Sequence, residues 1–149
     1  MTEAAPLFAR KVLGSLRPAN RFCEEAIGHL KEGETVTIKL GKVTRNQKRR
    51  AFYWVLLHVA SRVLQDRTDS PWDAESLHLV LKQKLRLGED LKNHKGEVIG
   101  FKPRSTSDAR MTETERSRWL DRVSNVLSHW TGVPAADLVR EAREQGETT

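Results

Sequence analysis

The chain has 149 residues, 38% hydrophobic and 31% charged, with 26 Lys and Arg against 20 Asp and Glu for a formal charge of +6. That length suits one domain with its own core, and the balance excludes both a disordered polyelectrolyte and a membrane-embedded chain. A single cysteine, Cys23, excludes an internal disulfide and fits a reducing cytoplasm, while a pI near 9.8 favours a polyanionic partner.

Residues 1–6 lack the apolar core of a signal peptide. The longest apolar run, near 51–60, is well short of the roughly 20 residues that span a bilayer. The expectation is a cytoplasmic protein with no membrane partner, its ends 1–5 and 145–149 frayed.

Taken in chain order, LFARKVL at 7–13 reads as a short strand bounded by Pro6 and Gly14. Asn20 then caps a helix with Glu24 and Glu25 in its first turn and Gly33 as its stop. Val36, Ile38 and Leu40 alternate with Thr35, Thr37 and Lys39, the pattern of a half-buried strand. After a turn at 41–45, Asn46 is the expected cap of a helix whose residues 51–64 are apolar nearly all round. Such a helix lies either inside the core or against a partner subunit.

Ser70, Pro71 and Asp73 read as N-cap, first position and third position of the next helix, which runs through Leu77, Val80, Leu81 and Leu85 to Gly88. A loop over 89–96 leads to a strand at Val98, Ile99 and Phe101. Thr112 and Glu115 form a capping box, opening a helix with Leu120, Val123, Val126, Leu127 and Trp130 inward and Gly132 as its end. A short charged helix from Pro134 to about Glu144 closes the chain, with Ala135, Leu138, Val139 and Ala142 inward. The sum is an α+β fold in a single domain, residues 1–149, a small sheet of short strands packed with about five helices.

Charge is concentrated in 35–65. That stretch holds seven cations and no carboxylate, which leaves the remainder at −1 (19 basic against 20 acidic residues). Lys42, Arg45, Lys48, Arg49 and Arg50 surround the start of a helix, where cations oppose the helix dipole. Local stability therefore does not account for them, and contact with phosphates does. Tyr53 and Trp54 follow directly and are the candidates for base stacking. They point about 100° apart on a helix, so at most one shares the basic face; Phe52 reads as core or subunit interface. A second basic group comprises Lys82, Lys84, Arg86, Lys102 and Arg104, with Lys92 and Lys95 in the loop between.

Catalytic signatures are weak. The five histidines are scattered without metal-ligand spacing, and no phosphate loop, dinucleotide fingerprint or nucleophile elbow occurs. His94 in NHKGEVIG superficially suggests a metal-dependent nuclease, but Glu97 and Lys102 are too far apart for the closely spaced pair of restriction-type nucleases. No cofactor or metal is expected. The rival readings are such a nuclease, and an adaptor whose basic face meets an acidic protein.

Several landmarks, in order, resemble the NinB (Orf) family of phage recombination mediators, or a closely related phage family. They are TVTI leading into RNQKRRAFYWVLLHVAS, then WDAESLHLVLKQKL with its Asp73–Ser76 phrase, then VIGFKPRSTSDARM followed by TETERSRWLDRV. The resemblance covers roughly residues 35–130. Asn46-Gln47-Lys48 reverses the family's usual Gln-Asn order at the helix start.

The resemblance implies a non-enzymatic homodimer that binds single-stranded DNA along a basic channel. It also implies contact with the host single-strand-binding protein and help in loading a recombinase, in the host cytoplasm if phage-encoded. Lys42, Arg45, Lys48, Arg49 and Arg50 would give the first DNA contact, and Arg104, Ser105, Ser107 and Arg110 a second from the turn before the capped helix.

Overall fold

In the computed structural model, which describes residues 3–146, the elements run β1 (Ala9–Val12), β2 (Ser15–Pro18), α1 (Arg21–Gly28), α2 (Arg45–Thr68), α3 (Ala74–Lys84), β3 (Gly88–Lys92), β4 (Val98–Pro103), α4 (Glu113–Thr131) and α5 (Ala135–Gly146). This is a small α+β domain. The short strands do not join into one sheet: β1 pairs only with β2 and β3 only with β4, each pair antiparallel.

The first hairpin turns at Leu13 and Gly14, both at positive φ, as a two-residue turn between twisted strands requires. Gly14 therefore reverses a strand rather than ending one. The second hairpin pairs Gly88 with Pro103 and Asp90 with Phe101 and carries a bulge at Leu91/Lys92. Its β3 strand, GEDLK, falls where a loop is expected, because it has no apolar alternation: both its faces are largely solvated.

Helix α2 is the centre of the molecule, with α5, α4 and α3 packed around it. Its apolar character is thus explained within one chain: its buried residues from Tyr53 to Leu64 are core, with Phe52 half-buried against them. Tyr53, Leu56, Leu57 and Ala60 are fully enclosed, facing Leu77 and Leu81 of α3, Trp119, Val123 and Leu127 of α4, and Leu138 and Ala142 of α5 within one cluster.

Several boundaries move by a turn. The cap of α2 is Thr44, not Asn46: its hydroxyl accepts from the Gln47 N–H at 3.1 Å, and the Gln47 side chain accepts from the Thr44 N–H at 3.0 Å. The cap of α3 is Asp73, which accepts from the Ser76 N–H at 2.7 Å, because Pro71 sits in the extended approach rather than the first turn. Helix α1 stops at Gly28, ahead of Gly33, and α3 at Lys84, ahead of Gly88. Asn20 and Thr112 cap α1 and α4 as expected, and Gly132 ends α4 at φ 71°.

On α4 the buried stripe is Arg116, Trp119, Val123, Leu127 and Thr131, so Trp119 rather than Trp130 is the core tryptophan. Arg116 heads that stripe, with the Asp108 carboxylate beside its buried guanidinium.

The expected strand at 35–40 is absent. Residues 34–44 have no regular structure and are exposed throughout. At the N-terminal side, Glu3 is tied to Lys82 and to the Thr106 N–H, and its carbonyl accepts from Trp54 Nε1 at 2.9 Å, so residue 3 is anchored rather than frayed. Residues 1–2 and 147–149 of the expected frayed ends lie outside the described residues.

Candidate nucleic-acid interface

The turn 104–111 joins β4 to α4 and is fastened from inside. Arg116, 0% exposed, donates through Nη2 to the Thr106 carbonyl at 2.6 Å and to Asp108 Oδ1 at 3.2 Å, and through Nε to Asn46 Oδ1. Arg50 Nη1 reaches the other oxygen of Asp108 at 3.0 Å. Asn46 donates to the Met111 carbonyl at 2.9 Å, and Arg49 to the Glu113 carbonyl and carboxylate, each at 3.2 Å. Burial lowers the pKa of Arg116 from the ordinary arginine value, Asp108 opposes that shift and Arg50 adds to it. The α2 start thus spends two of its basic residues, Arg49 and Arg50, on holding the turn and the head of α4.

On its outer side the turn walls an open cleft of about 740 Å³ against the base of the second hairpin. Arg86, Lys102, Arg104, Ser105 and Arg110 line it, with Leu87 and Pro103 as apolar surface and Glu89 as its carboxylate. Arg86 is ion-paired with Asp90 and lies 5.0 Å from the centre of the Phe101 ring. Arg104 pairs with Glu115 and donates to the Arg110 carbonyl. Lys102 and Arg110 have no ion-pair partner among the described residues, so they can bind an anion without first releasing a carboxylate.

The remaining candidates divide by burial. Lys42, Arg45 and Lys48 are exposed and without ion pairs among the described residues, and Lys84 is exposed on α3. Five others lie elsewhere than on a DNA-facing surface. Arg50 is buried against Asp108, and Lys82 is buried with its ammonium on Glu3. Ser107 is buried with its hydroxyl enclosed, and Tyr53, with Trp54 beside it, is inside the core.

A base has no access to either of these two rings. Tyr53 packs among Trp54, His78 and Trp119 at centroid distances of 5.7, 5.5 and 6.3 Å, and its hydroxyl meets His78 Nδ1 at 2.5 Å. The half-buried ring is Phe52, one position earlier. It edges a groove of about 340 Å³ with Lys48, Arg49 and Arg143.

Sequence reasoning missed Arg143 and Phe52 as partners of the basic helix start, because α5 reaches α2 only through the tertiary fold. It also missed the buried polar chain Glu3–His78–Tyr53. Burial lowers the pKa of His78, assisted by Lys82 and opposed by Glu3. The neutral ring then accepts from the Tyr53 hydroxyl and donates from Nε2 to Glu3, 3.2 Å away. Burial pushes Glu3 up, but Lys82, the Thr106 N–H and His78 together bring it down from 4.5 to about 2. No spacing in the sequence signals this cluster, whose members lie 25 and 75 residues apart along the chain.

His94 sits in the exposed turn between β3 and β4, where Asn93 bonds to Glu97. Among the described residues no three His, Cys, Asp or Glu side chains gather as a metal site, and no helix is long and apolar enough to cross a membrane. No protein-family model, curated protein or solved structure matches the chain.

Proposed function

We propose that the protein is a non-enzymatic, single-stranded-DNA-binding recombination mediator, in the manner of the NinB (Orf) proteins that its sequence resembles. One observation carries the reading. Arg86, Lys102, Arg104, Ser105 and Arg110, from two separate stretches of sequence, line one open cleft. The turn that walls this cleft is bonded on its other side to the α2 start bearing Lys42, Arg45 and Lys48.

Phosphates are neutralised along the cleft, and such backbone contacts hold a strand without reading its bases. Phe52 beside Lys48 and Arg143 supplies a ring face that an unpaired base can use and a paired one cannot. The reading includes a homodimer in the host cytoplasm that meets a single-strand-binding protein and delivers the strand to a recombinase.

Anisotropy of labelled oligonucleotides across a salt series tests it. With four to six phosphates neutralised, log affinity falls with log salt at a slope of about −3 to −4. Single strands bind more tightly than duplex, and Lys102→Glu with Arg110→Glu lowers single-strand affinity at least tenfold while leaving the unfolding midpoint in place. Salt-independent binding, or full affinity in the double variant, overturns the reading. Metal-dependent cleavage of the oligonucleotide would point to a nuclease instead, and displacement of the oligonucleotide by an acidic peptide with higher affinity would point to an adaptor.

A further inference from the structure

Residues 34–42, ETVTIKLGK, have the composition and alternation of a strand yet pair with nothing. Thr35–Val43 make no hydrogen bond among the described residues. Ile38 is 64% and Leu40 81% exposed, and Val36 and Val43 are exposed too. β-branched residues in alternation favour an extended chain that is half buried, and an unpaired extended chain is a template for another.

We infer that this segment pairs with the same segment of a second copy, antiparallel and centred on Ile38. The inference rests on the dimer part of the proposed function, deepens it by naming its surface, and shares Lys42 alone with the DNA part.

The register follows from the residues. Centring on Ile38 sets Ile38 opposite its own copy and Val36 opposite Leu40 of the second copy. Glu34 then stands opposite Lys42 at both ends, all on one face. The result is an apolar centre closed by two opposite-charge pairs, with Thr37 opposite Lys39 on the other face.

Other arrangements lose this. Centring on Thr37 puts Glu34 against Leu40, and centring on Lys39 puts that lysine against itself. A one-residue slip sets the apolar face against the polar one. Parallel pairing aligns Lys39 with Lys39 and Lys42 with Lys42. Glu34 is free to serve: among the described residues its side chain takes one bond, an exposed one from the Lys31 N–H at 2.8 Å.

Sedimentation equilibrium of the full chain, with charge variants, tests the inference. The wild-type chain should sediment at twice its 17.0 kDa mass. Glu34→Lys and Lys42→Glu should each raise the dimer dissociation constant about tenfold, since each breaks two pairs related by symmetry. The double variant Glu34→Lys/Lys42→Glu should return to within about threefold of wild type.

Oxidised glutathione should link the Ile38→Cys variant into a covalent dimer but not the Thr37→Cys variant, because cross-strand partners approach to disulfide distance and diagonal ones do not. The native Cys23 is buried and does not compete. A wild-type monomer, a double variant as weak as the single ones, or equal cross-linking at both positions overturns the inference. A monomer that still binds single-stranded DNA with the expected salt slope sinks this inference alone.

Discussion

Arg50 and Arg116 share a single carboxylate: each places a guanidinium nitrogen on Asp108, at 3.0 and 3.2 Å, one from α2 and the other from α4. The pair is why a residue in the middle of the basic cluster is unavailable to DNA. It also fastens the turn that walls the cleft.

Removing that carboxylate leaves two buried guanidinium groups uncompensated. Asp108→Ala is expected to destabilise the fold by about 3–5 kcal/mol, the range for breaking a buried ion pair from one side. Because Asp108 is itself partly exposed, the lower end applies. Urea unfolding measures the change. Lys48→Ala, on the same helix as Arg50 but exposed and unpaired, should shift stability by less than about 0.5 kcal/mol.

Acid should weaken the fold in two stages. Folded His78 is neutral with a lowered pKa, whereas the unfolded ring takes a proton near 6.5, so the unfolded state binds more protons below that pH. Its contribution is present above 6.5 and lost as pH falls, and His58, lowered chiefly by burial and also by Arg21, acts in the same direction. Glu3 is depressed from 4.5 to about 2, so its contribution is present above 4.5 and lost as pH falls toward 2. Urea midpoints between pH 8 and pH 3 should show both stages, with His78→Gln diminishing the first and Glu3→Gln removing the second.

Gly88 sits where β3 and β4 come together at the edge of the cleft. A Cβ there would lie 2.7 Å from the Phe101 ring and 2.9 Å from Pro103 Cα, with the Lys102 carbonyl oxygen nearer still. Gly88→Ala is expected to cost roughly 1–3 kcal/mol through overpacking and to weaken single-strand binding by displacing Lys102. In the same hairpin a Cβ on Gly100 meets Leu91 at an ordinary 3.7 Å, so Gly100→Ala should fold and bind as wild type. Thermal unfolding and anisotropy on both variants separate the two effects.

Adjacent aromatics should behave oppositely. Phe52→Ala is expected to reduce single-strand affinity by about 1–3 kcal/mol, the worth of one stacked base. Tyr53→Phe leaves His78 Nδ1 without its donor inside the core and should cost about 1–3 kcal/mol of stability, with DNA affinity unchanged. An unchanged affinity for Phe52→Ala would remove that ring from the interface.

Sequence alone determined the features whose causes are local. Asn20 and Thr112 cap helices because a side-chain oxygen and the N–H three residues on meet within one turn. Gly132 ends α4 because it adopts a positive φ at no steric cost. The concentration of cations before α2, the helical character of 51–64 and the α+β class were legible for the same reason.

Only the tertiary structure decided which of those cations face outward. Arg50 and Lys82 each lie two positions from Lys48 and Lys84, and about half a turn of helix hides one member of each pair beside a carboxylate distant in sequence, Asp108 or Glu3. It also decided that 35–40 has no regular structure, since alternation specifies a strand's faces but never supplies its neighbour. The residues of the cleft likewise come from two stretches, 86–89 and 102–110, that the β3–β4 pairing brings together. No periodicity along the chain encodes a contact between segments that far apart.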